Sequence, residues 1–135
     1  AAAMTVSVGL TVGVKILVDR PRPDAVDRLG PVDHSYSFPS GHTLNSTVFL
    51  GLAVILLLPL IHRRGWRVAG IAGAGLLSLG IGWSRVYLGY HWTTDVLASW
   101  LLATAVLVGA YTAARLAPNR AAGIRLRRTS PSSHT

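Results

Sequence analysis

The sequence predicts an all-α protein, an integral-membrane bundle of four helices. Half of its 135 residues are hydrophobic and only 13% are charged, a balance too apolar for an ordinary soluble domain. Four apolar segments, at residues 1–18, 44–61, 68–83 and 91–114, are about as long as a helix must be to cross a bilayer. Short polar or basic segments separate them, as expected of loops at a membrane surface.

The first two segments have recognisable ends. Lys15 is the only charged residue in the first segment, and a lysine near a helix end can extend its ammonium group to the membrane interface. Pro21 and Pro23 then exclude a helix from the loop that follows. The second segment follows Pro39, which cannot continue a helix backwards, and Ser40, a favoured N-cap residue.

The third and fourth segments are recognised by their small and aromatic residues. In the third, Ala69 and Gly73 lie four residues apart and share one helix face, which lets membrane helices pack closely. We therefore expect this helix to be buried among the others. Trp92 and Trp100 flank or enter the apolar part of the fourth segment, as interfacial aromatic residues do.

The length and the distribution of charge predict one domain and a tail. Residues 1–117 form the predicted transmembrane domain, and residues 118–135 a basic tail, disordered or held at an anionic membrane surface. The chain has no cysteine, which excludes disulfides and thiolate metal sites. Four of its five acids lie in the loop at residues 19–38, but their spacing fits no metal-ligand pattern. We therefore expect that loop to be solvated. We expect the protein to bind neither a metal nor another cofactor.

Charge also predicts the orientation in the membrane. In a four-span topology one face carries five cations and all five acids, whereas the other carries eight arginines and no acid. The positive-inside rule places the arginine-rich face and the tail in the cytoplasm, and the mixed face outside a plasma or inner membrane. A cysteine beside Gly65 that reacted with a label only from outside would contradict this orientation. Because topology explains the basic clusters, no nucleic acid is expected as a partner.

The start of the second helix predicts an anion site. The first turn of a helix has unpaired N–H groups and a partly positive dipole end, which suit a phosphate. Gly41 allows a close approach to the backbone, and His42 can donate or accept a proton near neutral pH. This stretch therefore has the features of a phosphate site that contains its own acid.

A second group of residues faces the same membrane surface. His91 and Asp95 are four residues apart at a helix start, so we expect them on one helix face, with the carboxylate fixing the imidazole tautomer. Arg85, Lys15 and Arg22 would supply three cations for a phosphoryl group and its transition state.

Together these residues resemble the three-part signature of the type 2 phosphatidic acid phosphatase (PAP2) superfamily. All eleven fixed positions match: Lys15, six residues, Arg22-Pro23; Pro39-Ser40-Gly41-His42; and Ser84-Arg85, five residues, His91, three residues, Asp95. The family includes membrane lipid phosphatases, undecaprenyl-pyrophosphate phosphatases and glucose-6-phosphatase, and it shares its site with vanadium haloperoxidases. Its membrane members usually have six spans, so the chain resembles the last four, with two N-terminal spans missing.

The resemblance implies a metal-independent hydrolysis of a lipid phosphate or pyrophosphate, such as phosphatidic acid, phosphatidylglycerol phosphate or a prenyl pyrophosphate. It implies that His91 is the nucleophile, that Asp95 orients it, and that His42 protonates the leaving oxygen and then activates water. It further implies a set of phosphate ligands: Lys15, Arg22, Ser40, Gly41 and Arg85. Membrane lipids would surround the protein, and an oligomer is compatible with the pattern.

Two alternatives remain open from the sequence. A vanadate-dependent haloperoxidase would use the same ligands, although the apolar segments argue against that soluble class of enzyme. A non-catalytic membrane protein that binds a phosphorylated lipid would need the cations, but it would have no need of two histidines and a carboxylate.

Overall fold

The computed structural model describes residues 1–24, 26, 28–31 and 33–117, and the regular elements in this part of the chain are all helices. Its helices are α1 (Ala2–Val18), α2 (Gly41–Leu57), α3 (Arg64–Tyr87) and α4 (Thr93–Leu116), and a short 3₁₀ turn, Leu58–Leu60, extends α2. The central helix is α2, which packs against each of the other three. The predicted tail and Asp27, one of the loop acids, lie outside the described residues.

Several helix ends differ from the ends of the predicted segments, and three of these differences affect a site residue. Helix α2 begins at Gly41, directly after the Ser40 N-cap, so His42 lies in its first turn. Helix α3 continues to Tyr87, which places Arg85 in its last turn instead of in a connection. Helix α4 begins only at Thr93, so His91 precedes it, and the expectation that His91 and Asp95 share a helix face is wrong. The α4 start is set by Asp95, whose carboxylate accepts the N–H of Trp92 at 3.0 Å.

The buried core is small and has an apolar and a polar layer. Leu44, Val48 and Ala103 are fully buried between α2 and α4. Toward the N-terminal ends of these helices the buried residues become polar, and the Ser99 hydroxyl lies 2.6 Å from the Asp95 carbonyl and 3.1 Å from the Ser40 carbonyl. This polar layer joins the start of α2 to the start of α4, where the predicted site residues lie.

Helix α3 lies at the edge of the bundle, so the expectation that it is buried is wrong. Most of its residues are exposed, and only Ser78 and Gly82 are buried. A Cβ atom at Gly82 would lie 2.5 Å from the Trp100 ring, whereas nothing lies within 4 Å of one at Gly73. The small residues of α3 therefore permit a close contact with α4 at one place, near its C-terminal end, and leave the rest of the helix accessible.

Two helical segments are long and apolar enough to cross a membrane: Gly41–Leu60, which joins α2 and its 3₁₀ turn, and Thr93–Leu116, which is α4. Within the described fold, 17% of the most apolar stretch of the first segment is buried and 22% of that of the second. Most of the apolar residues of both segments therefore face outward. Helix α1 is apolar but shorter, at 17 residues. Four spans, and a six-span parent fold, stay predictions.

Candidate active site

The predicted site residues meet at a cleft where α1 and α3 end and α2 and α4 begin. Two adjoining cavities, of about 480 and 510 Å³, share four side chains: Arg22, Asp33, His42 and His91. Lys15, Ser35, Gly41, Asn45 and Ser46 complete the first cavity, and Leu29, Pro31, His34, Arg85, Leu88 and Tyr90 complete the second. Six of the eight predicted site residues thus line the cleft.

The other two predicted residues, Ser40 and Asp95, are fully buried behind the cleft wall. The Ser40 hydroxyl accepts a hydrogen bond from Thr43 Oγ1 at 3.0 Å, and its carbonyl faces Ser99. Its assignment as a direct phosphate ligand stays a prediction.

His91 is held in one orientation by the protein backbone. Its side chain is 4% exposed, and Nδ1 lies 2.7 Å from the carbonyl oxygen of Ser37. Because a carbonyl only accepts, Nδ1 carries the proton and the neutral ring keeps its lone pair on Nε2. Nε2 lies 3.5 Å from Nη1 of Arg22, at the cleft wall. A nitrogen lone pair is therefore placed beside a guanidinium at the cleft wall.

Asp95 contacts His91 less closely than the sequence suggested. Its Oδ2 lies 3.5 Å from His91 Nδ1, farther than the Ser37 carbonyl, while Oδ1 accepts from Arg20 Nη1 at 2.7 Å. Arg20 also donates to Thr94 Oγ1 at 2.7 Å, and its guanidinium lies 5.6 Å from the Trp92 ring centroid. Asp95 is thus a buried carboxylate shared between Arg20, the α4 N-terminus and His91.

Sequence reasoning missed both Arg20 and Ser37 as parts of the site. Arg20 lies two residues before Arg22, and each arginine precedes a proline. This repeat of the Arg-Pro pair could have indicated that Arg20 also belongs to the site. Ser37 acts through its backbone carbonyl, a group that every residue has, and no residue type in the sequence could indicate it.

Arg22 is the most heavily bonded cation of the cleft. Its Nε donates to the Ser35 carbonyl and its Nη1 to the Tyr90 carbonyl, both at 2.7 Å, while Nη2 donates to Asp33 Oδ2 at 2.6 Å. Lys15 Nζ reaches the same loop, where it donates to the Tyr36 carbonyl and to Ser35 Oγ. These bonds hold loop residues 33–36 against Arg22 and against Lys15 at the end of α1.

Asp33 is exposed, in keeping with a solvated loop, but it also pairs with Arg22 in the cleft wall. Although partial burial opposes ionisation, the hydrogen bonds from Ser35 and the charges of Arg22 and Lys15 hold the pKa of Asp33 below its usual value. Its carboxylate is therefore ionised at neutral pH. The sequence offered no sign of this pair, because the two residues meet only through the fold of the loop.

The N-terminus of α2 supplies the predicted anion-binding backbone. No side chain of the described residues caps its first turn, and Gly41 lines the first cavity. Glycine also favours the close packing of α2 on α1, since a Cβ there would lie 3.0 Å from Thr11 Cγ2. His42, the next residue, is exposed and lines both cavities. A second imidazole, exposed to solvent, thus lines the same two cavities as His91.

Metal-ligand clusters are not part of this arrangement. Within the described ranges, no group of three or more His, Cys, Asp or Glu side chains is arranged to hold an ion. The cleft instead combines a fixed imidazole, an exposed imidazole and three cationic side chains, Lys15, Arg22 and Arg85. Such a set can bind a phosphoryl group, attack it and move a proton.

Comparisons with known proteins agree with this chemistry. The family model of the PAP2 superfamily matches residues 1–118. A phosphatidylglycerophosphatase B of Bacillus subtilis is 40% identical over 94 residues, which cover 66% of this chain and 43% of that protein. An undecaprenyl-diphosphatase of Sulfolobus acidocaldarius is 40% identical over 74 residues, covering 55% of this chain and 32% of that protein. The chain therefore spans less than half the length of these curated relatives.

A solved structure is similar as well. The crystal structure of a transmembrane PAP2-type phosphatidylglycerolphosphate phosphatase from Bacillus subtilis superposes with a TM-score of 0.76 at 26% sequence identity. The match covers 88% of this chain and 59% of that one. A transmembrane relative and two long apolar helices with outward-facing surfaces together indicate a membrane protein.

Proposed function

The chain belongs to the PAP2 superfamily, and we propose that it is a membrane phosphatase that hydrolyses a lipid phosphate or pyrophosphate through a phosphohistidine intermediate, without a metal ion. The observation that carries this proposal is the His91 ring, whose Nδ1 is bound to the Ser37 carbonyl while Nε2 lies at the cleft beside Arg22. A site that only bound phosphate would not need a nitrogen lone pair oriented in this way.

The reaction has two balanced steps. In the first, His91 Nε2 attacks phosphorus, the bond from phosphorus to the leaving oxygen breaks, and protonated His42 gives that oxygen its proton. In the second, His42 takes a proton from water, the water oxygen attacks the phosphohistidine, and inorganic phosphate leaves with His91 restored. Lys15, Arg22 and Arg85 offset the charge of the phosphoryl oxygens in both transition states.

Asp95 would act on the imidazolium that forms. When Nε2 bonds to phosphorus the ring becomes cationic, and the buried carboxylate 3.5 Å from Nδ1 stabilises that charge while Ser37 keeps the ring in place. Asp95 is then an electrostatic partner, and the orientation of His91 depends first on the Ser37 carbonyl.

The substrate would be a lipid that keeps its chains in the bilayer while its headgroup enters the cleft. The names of the relatives, a phosphatidylglycerophosphatase and an undecaprenyl-diphosphatase, favour a glycerophospholipid phosphate or a prenyl pyrophosphate. We place the catalytic domain at residues 1–117, with all four helices in the membrane and the cleft on the extracytoplasmic side. The arginines Arg63, Arg64 and Arg115 lie at the opposite helix ends, which supports that orientation.

The test measures phosphate released from a panel of lipids by the purified chain in detergent and chelator. The panel contains phosphatidic acid, phosphatidylglycerol phosphate and a prenyl pyrophosphate, and each is run beside a His91→Ala variant. We expect metal-independent release that the variant lacks, and an acid-labile phosphate bound to the native protein. Release that survived His91→Ala would exclude the phosphohistidine mechanism. Lipid phosphate that bound but was never cleaved would favour the non-catalytic alternative, and halide oxidation with vanadate and peroxide would favour a haloperoxidase.

A further inference from the structure

The guanidinium of Arg22 already binds an anion, the carboxylate of Asp33. Nη2 donates to Asp33 Oδ2 at 2.6 Å and to Ser35 Oγ at 2.8 Å. Nε and Nη1 donate to the carbonyls of Ser35 and Tyr90, and Nη1 also lies 3.5 Å from His91 Nε2. The Arg22 side chain is only 6% exposed, so few directions remain from which another anion can approach it. Asp33 therefore occupies Nη2 of a guanidinium that lines the cleft, and Asp33 lines the cleft as well.

Asp33 is placed to leave this position. Its side chain is 45% exposed and lies on the irregular loop before α2, where its other recorded bond is from the Ser35 amide, at 2.9 Å. It lines both cavities, together with His42 and His91. Asp95 is different, because it is fully buried, lines neither cavity and faces Arg20.

We propose that Asp33 is an internal competitor for Arg22 that sets the affinity of the cleft for phosphate, both for the phosphate group of a lipid and for the inorganic phosphate that is released. A carboxylate and a phosphate bind a guanidinium through the same charge-assisted hydrogen bonds, so each excludes the other from Nη2. Where both are present, their like charges also repel each other across the cleft.

The competition affects the two ligands differently, and this consequence rests on the proposed function. A lipid substrate keeps its chains in the membrane while its headgroup displaces Asp33, whereas inorganic phosphate has no second anchor. Return of Asp33 to Arg22 therefore removes the product without removing the next substrate from the vicinity of the cleft. Asp33 is in this sense an affinity-determining residue and takes no part in bond breaking.

The experiment measures the binding of inorganic phosphate to the purified chain in detergent by calorimetry. Asp33→Asn keeps the shape and the acceptor oxygen of the side chain but removes its charge. We expect the variant to bind phosphate about tenfold more tightly, the effect of one charge-assisted hydrogen bond freed for the ligand. Asp24→Asn, on the same loop but exposed and outside both cavities, is the matched control and should leave the affinity unchanged.

The pH dependence sharpens the test. Because the pKa of Asp33 lies below its usual value, the carboxylate stays charged across neutral and mildly acidic pH, and the ratio of the two affinities should be constant there. As the pH falls to the pKa, Asp33 loses its charge, and the native chain should approach the affinity of Asp33→Asn. Both chains bind the same ionic form of phosphate at a given pH, so the ratio isolates Asp33.

Each result decides the proposal. Tighter binding by Asp33→Asn supports it, and such a gain cannot come from a misfolded chain. An unchanged or weaker affinity, or no detectable binding by either chain, overturns it. The readout needs no turnover, so a chain that released no phosphate from any lipid would contradict the proposed function while the competition between Asp33 and phosphate could still be measured.

Discussion

The two histidines of the cleft have opposite surroundings. His91 is 4% exposed, bonded to a backbone carbonyl and next to the buried Asp95, whereas His42 is exposed in the first turn of α2. The half of the cleft around His91 is therefore fixed before a ligand arrives, and the half around His42 is open. The difference suits the two tasks that we propose: a nucleophile needs one constant direction of attack, whereas an acid that later serves as a base must reach two different oxygens.

The same contrast extends to the residues behind each histidine. Behind His91 lie Asp95 and Ser99, both fully buried and tied to the start of α2 through the Ser40 carbonyl. Around His42 lie loop residues such as Asp33 and His34, which are exposed. We infer that changes in the buried half alter the rate of the chemical step, whereas changes in the open half alter proton transfer and ligand affinity.

The largest expected effect is a loss of turnover in a His42 variant that depends on the leaving group of the substrate. With a lipid phosphate, His42→Ala should lower turnover by about 10²–10⁴-fold, the usual contribution of a general acid. With p-nitrophenyl phosphate, whose leaving group needs no proton, the first step should survive and phosphohistidine should accumulate, because water is no longer activated. Rapid-quench measurement of protein-bound phosphate tests this.

His91→Ala is the companion variant for that experiment. It should abolish protein-bound phosphate with either substrate, since the nitrogen that bonds to phosphorus is missing. If His42→Ala lost equal activity toward both substrates and accumulated no intermediate, the division into a fixed nucleophile and an open acid would be wrong.

A smaller effect is expected where Arg20 supports the buried half. Arg20→Gln leaves Asp95 buried with its Oδ1 no longer paired to a cation, so kcat should fall by about 10–100-fold, as for partners that orient a reactive group, with little change in KM. Arg63→Gln, at the far end of the bundle, is the matched control and should keep full activity. Steady-state kinetics with one lipid phosphate in detergent provides both constants.

A second variant separates positioning from simple loss of structure. Because Arg20 acts through Asp95, Arg20→Gln combined with Asp95→Asn should cost less than the sum of the two single changes. Strict additivity would show that Arg20 has no part in holding Asp95. A rise in KM with an unchanged kcat would assign Arg20 to the binding of substrate instead.

The smallest effect concerns the start of α2, where the two halves meet. A Cβ at residue 41 would lie 3.0 Å from Thr11 Cγ2, so Gly41→Ala should lower the melting temperature by a few degrees, equivalent to about 1 kcal/mol of overpacking. Thr11→Ser removes that methyl group and keeps the hydroxyl bonded to Ser7, so the double variant should recover the loss. Gly13→Ala has open space and should raise the melting temperature. Equal shifts at both glycines would contradict the close approach of α1 and α2.

Much of the fold could be predicted because a helix that crosses a membrane requires a long apolar segment, which is visible in the sequence. The four segments correspond to α1–α4, and the breaks before Pro21 and Pro39 follow from residues that a helix does not accommodate. The burial of α3 was predicted wrongly, because a face of small residues permits close packing without stating which neighbour uses it. Its glycines make one tight contact, at Gly82, whereas Gly73 of the predicted face has open space around it.

The sequence by itself determined which side chains meet at the cleft: two histidines, a carboxylate and three cations, at spacings that match a family signature. They lie at or beside helix ends that share one face. The tertiary structure decided how these groups are connected. It placed the Ser37 carbonyl on His91, Arg20 on Asp95 and Asp33 on Arg22. The residue types show which side-chain chemistry is present. These pairings, however, depend on how a proline-rich loop brings backbone carbonyls and distant charges together. No local pattern in the sequence specifies the path of that loop.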